Sequence, residues 1–286
     1  MISDITLGQF FPGFSPLHKL DPRTKIILAI LFIVAVFLVN NPAGFLLILL
    51  VTVFMIAISR ISFKVVLRGI RPIIFILIFT SLINLFMTVG EGEPLWQFRF
   101  LKIYEEGIIR AVFMSARVIV LIVGTRMLLT YTTSPISLTD GIESLLKPLK
   151  VIGVPVHVFA MMMTIALRFI PTLVEETDKI MNAQKSRGAD FSSGGLIKRA
   201  KALIPILVPL FVSSFKRAEE LATAMECRCY RGDKNRTKYA ELKYKGRDFA
   251  WFIFAIVLFG AIIVARILPY RFEVASIIYD IAFYRI

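Results

Sequence analysis

The sequence predicts an all-α membrane protein: about five transmembrane helices plus a cytoplasmic insertion of long amphipathic helices. Three observations carry this expectation. Of 286 residues, 57% are apolar, and the mean hydropathy is +0.76, well above a soluble domain. Residues 26 to 58 contain no charged side chain. The net charge of +14 is also unevenly spread. The expected division is 1–133 with four spans, 134–248 as the insertion, and 249–286 as a last span and tail.

As one helix, residues 26 to 58 would be roughly 50 Å long, too long for a hydrocarbon core of roughly 30 Å. Asn40-Asn41-Pro42 breaks them in two, because proline pushes its predecessor out of helical geometry. Further spans are expected at about Pro72 to Val89, Ile108 to Tyr131 and Phe249 to Leu268. Lys19, Arg23 and Lys25 precede the first span, and Arg60, Lys64, Arg68 and Arg71 separate the second from the third. The positive-inside trend makes those ends cytoplasmic. The uncharged turn at Asn40-Asn41 and the acidic loop with Glu91, Glu93, Glu105 and Glu106 then face out.

Residues 134 to 248 carry 19 Lys and Arg against 12 Asp and Glu. Their two apolar stretches, 154 to 167 and the one beginning at Ala202, are short for a crossing, at about fourteen residues each. Each opens an expected helix that turns amphipathic further on. The first shows Phe169, Ile170, Leu173, Val174, Ile180 and Met181 at helical spacing; the second shows Phe211, Phe215, Ala218, Ala222, Met225 and Cys229. Pro205 and Pro209 should bend or interrupt the second. The two helices end alike, on "AQKSRG" (Ala183 to Gly188) and on "AMECRC" (Ala224 to Cys229). A single Arg-Gly pair is the ordinary end of a helix, with glycine in the left-handed cap and arginine at the negative pole of the dipole. Two matched ends in one basic insertion favour paired plugs, each offering an arginine fork to a partner's groove.

Other chemistries lack their residues. The sequence has no G-x-x-x-x-G-K-[ST] phosphate loop and no Asp or Glu within an expected span, as an ion-driven carrier would need. It shows no nucleophile–base pair, so no catalytic residues are assigned. Cys227 and Cys229 are the only cysteines, and with His18 and His157 they make no convincing zinc site. His157 is read as a packed or interfacial histidine, and Arg117, deep in the fourth span, as a structural arginine of the bundle.

Four stretches carry a family resemblance: "SPLHKLDPRTK" (15 to 25), where Asp21 can cap a helix beginning at Pro22, "LLTYTTSP" (128 to 135), "AQKSRG" and "AMECRCYRG". In order and spacing they resemble the transmembrane T component of energy-coupling factor transporters, the vitamin and metal-ion importers of prokaryotes. The resemblance implies a non-enzymatic scaffold in the prokaryotic cell membrane, with its N-terminus and insertion cytoplasmic. The long helices would be coupling helices whose tips dock into two ABC-type ATPase subunits. Ser186, Arg187 and Gly188 would form the first tip, and Cys227, Arg228 and Cys229 the second, with Ala183, Ala224 and Glu226 alongside. A small membrane protein would capture the substrate. No cofactor, metal or nucleic-acid partner is implied. In the second tip, cysteine replaces the usual alanine and glycine, which leaves its backbone turn open. The rivals are a permease subunit of an ordinary ABC transporter, which would itself line the substrate path, and an intramembrane enzyme or stand-alone carrier.

Overall fold

A computed structural model describes residues 10–39, 41–88, 96–98, 101–191, 195–230, 232 and 242–267. Asp21 opens the first helix as expected: its carboxylate accepts the amide of Arg23 at 2.9 Å, and Pro22 takes the first helical position of α1 (Pro22–Leu38). After Asn41 comes α2 (Pro42–Ser59), ending on Arg60 in the left-handed conformation. The short α3 (Phe63–Ile70) and a single tight turn through Pro72 lead into α4 (Ile74–Met87). Two three-residue strands, β1 (Trp96–Phe98) and β2 (Leu101–Ile103), pair antiparallel in the loop read as acidic. Beyond them run α5 (Glu105–Thr125), α6 (Pro135–Leu146), α7 (Val156–Ser186), α8 (Leu196–Cys227) and α9 (Gly246–Ile267). The protein is an all-α membrane protein apart from that ribbon.

The chain divides into two units. One holds Phe10–Gly141 and the chain from Leu242 onward; the other holds Ile142–Glu241. In the first, α1 is the central helix. Leu28, Phe32, Ala35 and Val36 are buried against Ile48 and Met55 of α2, Val120 of α5, and Ala255 and Ile262 of α9. Gly124 permits the closest approach: a β-carbon there would lie 2.2 Å from the ring of Phe32.

Five stretches among the described residues are long and apolar enough to cross a membrane: Pro42–Ser59, Phe63–Met87, Glu105–Thr130, Val156–Ser186 and Gly246–Ala265. The number is as expected, but the membership differs. The first expected span, α1, has 17 residues and is about 25 Å long, at the short end for a crossing. In its place stands α7, because its short apolar opening continues without a break into its amphipathic half.

Two local expectations are corrected. Asn41 is 3% exposed, and its side-chain amide donates to the carbonyl of Ala265 at 2.6 Å. It packs against α9 and is no open reporter of the turn. Residue 40 lies outside the described residues. Of the bend or interruption expected at Pro205 and Pro209, the interruption does not occur: α8 runs through both. Proline at 209 deprives the carbonyl of residue 205 of its usual intrahelical donor, and Gln184 Nε2 donates to that carbonyl instead, at 3.5 Å.

Candidate functional site

Both expected tips are helix ends closed by the same backbone motif. In α7 the last helical residue is Ser186 and the cap is Arg187. The amide of Gly188 donates to the carbonyl of Lys185 at 2.9 Å, and that of Ala189 to Gln184 at 3.0 Å. These are the paired reverse bonds of a Schellman end, with Gly188 at φ +88°. In α8 the cap is Arg228. The amide of Cys229 donates to Glu226 at 2.8 Å and that of Tyr230 to Met225 at 3.0 Å. Position for position the turn is the same. The cysteine at 229 therefore keeps the turn that its identity had left open, at φ +56°. A side chain costs about 1–2 kcal/mol in that conformation, where glycine is unstrained. Cys229→Gly is thus expected to slow amide exchange at Tyr230 by about fivefold, the equivalent of about 1 kcal/mol. Unchanged exchange would mean that the turn carries no strain.

Ala183, Ser186, Arg187 and Gly188 are exposed, as are Ala224, Glu226, Cys227, Arg228 and Cys229. Ser186 Oγ donates to the carbonyl of Asn182 at 3.1 Å, folding the hydroxyl back along the helix. Each arginine is thus an exposed cation at the cap of its helix.

The structure does not bring the two tips together. Glu176 of α7 meets Arg217 of α8 at 2.7 Å and also accepts a hydrogen bond from Ser213 Oγ. Nearer the first tip Gln184 meets Pro205, and farther from it Ile165 and Met225 line one gap. As one helix is followed forward the other runs backward, so the pair is antiparallel. Its arginines project from opposite ends, about 35 Å apart at 1.5 Å per residue. Sequence alone did not show this separation; Glu176 and Arg217, each about two thirds of the way along its helix, were its trace.

A second polar centre ties the membrane unit together at one end. Asp248, 1% exposed, accepts the amides of Asp21 at 2.9 Å and Lys245 at 2.7 Å. It thereby joins the starts of α1 and α9. Lys25 Nζ donates to the carbonyls of Thr132 at 2.7 Å and His18 at 3.3 Å, which fixes the motif at 128–135 to α1. The turn before that motif closes on a wide bond from Tyr131 N to Arg126 O, 2.9 Å, and Arg126 reaches the carbonyl of Gly69 at 2.7 Å. His18 donates from Nε2 to the carbonyl of Phe11 at 2.8 Å and accepts from Ser15 Oγ at Nδ1, 2.7 Å. Burial holds its imidazole below the ordinary histidine range, and the nearby Lys25 charge adds to this. Asp248 was missed because an acidic residue in the first turn of a helix reads as ordinary capping.

The remaining singled-out residues have structural roles. Arg117 donates to the carbonyl of Val39 at 2.8 Å, at the C-terminal end of α1, where a cation meets the negative pole of the dipole. His157 Nδ1 lies 3.0 Å from Glu143. Among the described residues no group of three or more His, Cys, Asp or Glu is placed to hold a metal ion.

The family model described as "Cobalt transport protein", CbiQ, matches residues 13–239. The energy-coupling factor transporter transmembrane protein EcfT of Clostridium kluyveri is 55% identical over 267 residues, covering 93% of this chain and 98% of its own. The chain belongs to the energy-coupling factor transmembrane family. The protein of the same name from Ruminiclostridium cellulolyticum is 57% identical over 248 residues, 87% of this chain and 92% of its own. That of Bacillus subtilis is 50% identical over 258 residues, 90% and 97% respectively. As a family member this is a multi-pass transport component of a prokaryotic membrane, and its relatives are named as transporter subunits, not enzymes.

Proposed function

We propose that the chain is the scaffold and coupling subunit of an ATP-driven importer for a vitamin or a transition-metal ion such as cobalt. Two ABC-type ATPases take the tips at Arg187 and Arg228, and a separate small membrane protein binds the substrate. The observation that carries this reading is the pair of like Schellman ends at opposite ends of one antiparallel helix pair. Two like plugs about 35 Å apart suit two like sockets. The names of the relatives and of the family model supply the transport class.

The ATPases supply the hydrolysis, and their closure moves the tips. The helix pair passes that motion to the exposed apolar stripe of α8, where Leu207, Val208, Phe211, Val212 and Phe215 are each more than half exposed. A surface this apolar needs cover, and the substrate-binding subunit and lipid provide it.

The pair is proposed to lie on the cytoplasmic side, N-terminus included, although α7 is long enough to cross. Its apolar opening lies beside the second tip: Ile165 shares a gap with Met225, next to Glu226 and Arg228. A transmembrane α7 would draw those charges toward hydrocarbon at several kcal/mol.

Purification in mild detergent is expected to bring down two ATPase chains and one small membrane protein. Recovery of an unaccompanied chain that transports by itself would overturn the scaffold reading. In a Cys227→Ala, Cys229→Gly background, cysteine at Asp190 should react in sealed cells only with membrane-permeant thiol reagents. Cysteine at Ala43, exposed at the start of α2, should react with impermeant ones. The reverse pattern would invert the topology.

A further inference from the structure

The stretch Phe63–Met87 has 25 residues, about 37 Å of helix against a hydrocarbon core of about 30 Å. The tight turn at Arg71–Ile73 carries Pro72 and divides it, and the helix exceeds the core by about 7 Å at the end that carries Lys64, Arg68 and Arg71. This leaves α3 at the level of the headgroups.

The surface of α3 has three sectors. Val66 and Gly69 are buried, with Val66 in the cluster of Val123, Met127 and Tyr131, and Arg126 is hydrogen-bonded to the Gly69 carbonyl. The helix is thus bolted to the end of α5 by one face. At 100° per residue, the opposite side splits into two adjacent strips. Phe63 and Leu67 form an apolar strip, 62% and 49% exposed. Lys64, Arg68 and Arg71 form a basic strip, all exposed, and no ion pair joins them to a described residue. From Pro22 to Gly90 the sequence contains no Asp or Glu, so the protein supplies no local counter-charge to this face.

We infer that α3 lies in the membrane interface and binds anionic phospholipid headgroups, with Phe63 and Leu67 seated in the acyl boundary and Lys64, Arg68 and Arg71 against phosphates. An apolar strip flanked by cations is how an interfacial helix divides itself between tails and headgroups, and each cation near an anionic surface adds to the attraction. Because Arg126 and Tyr131 hold the buried face, the bound lipid steadies the same end of α5 that carries the motif at 128–135.

The test uses the full chain with the subunits that co-purify with it, reconstituted in phosphatidylcholine vesicles. Phe63→Trp is placed in a Trp96→Phe, Trp251→Phe background, and tryptophan quenching is measured with about one fifth of the lipid brominated. Brominated phosphatidylglycerol is expected to quench about threefold more than brominated phosphatidylcholine at equal mole fraction. The excess should vanish at about 1 M salt, where charge attraction is screened within about 3 Å. Lys64→Gln with Arg68→Gln and Arg71→Gln should bring the ratio to one, whereas Arg68→Lys with Arg71→Lys should keep it; this second variant separates loss of charge from loss of fold. Equal quenching by both lipids in the parent chain would overturn the anionic preference. Absence of quenching by either would place a protein partner on this face instead.

Discussion

Charge reversal at both tips, Arg187→Glu with Arg228→Glu, is expected to leave the chain inserted in the membrane at normal yield but without its ATPases. Both side chains are exposed at helix ends, and no hydrogen bond of either motif uses them; the turns close through backbone amides alone. The fold should therefore not register the change. An interface built for a cation would register it strongly, since a like-charge contact costs several kcal/mol, and two such contacts reduce binding by several orders of magnitude. The measurement is the recovery of ATPase chains with affinity-purified protein. Recovery at the parent level would sink the docking role of the tips, whereas loss of the protein itself would show that the arginines support the fold. The single variants should each retain part of the binding, because the tips are far apart and are proposed to engage separate sockets.

Asp248→Ala is expected to do the opposite and damage the fold while sparing the tips. The carboxylate is buried and accepts two backbone amides, those of Asp21 and Lys245. Alanine would strand both donors away from water at about 1–3 kcal/mol each, so a loss of about 2–5 kcal/mol is expected. It should appear as a lower thermal denaturation midpoint in mild detergent and as proteolysis near the start of α9. Asp248→Asn keeps one carbonyl acceptor and should lose about half as much. A denaturation midpoint unchanged in the alanine variant would mean that water reaches those amides.

These three residues also mark what a sequence can disclose. Arg187 and Arg228 were legible because a helix end writes itself locally: an amphipathic stripe stops, an arginine follows, and glycine or its substitute turns the chain. Asp21 with Pro22 was legible for the same reason, as was the break at Pro42. Asp248 was not, because its role depends on an amide 227 positions earlier. The replacement donor at Pro209 was equally hidden, since Gln184 on another helix bonds the carbonyl of residue 205 that the proline leaves open. Asn41 looked like an open turn because only α9, far along the chain, buries it. The antiparallel order of the tips rests on Glu176 finding Arg217, a pairing that neither helix announces.

That contact also sets the mechanics of the pair. Arg187 lies eleven residues beyond Glu176, and Arg228 lies eleven beyond Arg217. The clamp therefore marks off two arms of equal length, each about 16 Å. On the docking proposed above, equal arms would give equal torque, so two identical strokes at the tips would balance about the clamp and neither ATPase would have the mechanical advantage. Phase is shared as well. One residue added between clamp and tip on a single helix would swing that arginine through about 100° and advance it about 1.5 Å, which on the proposed docking would leave one socket in register and the other out of step. Such a lever tolerates substitution along its shafts far better than any change in their length.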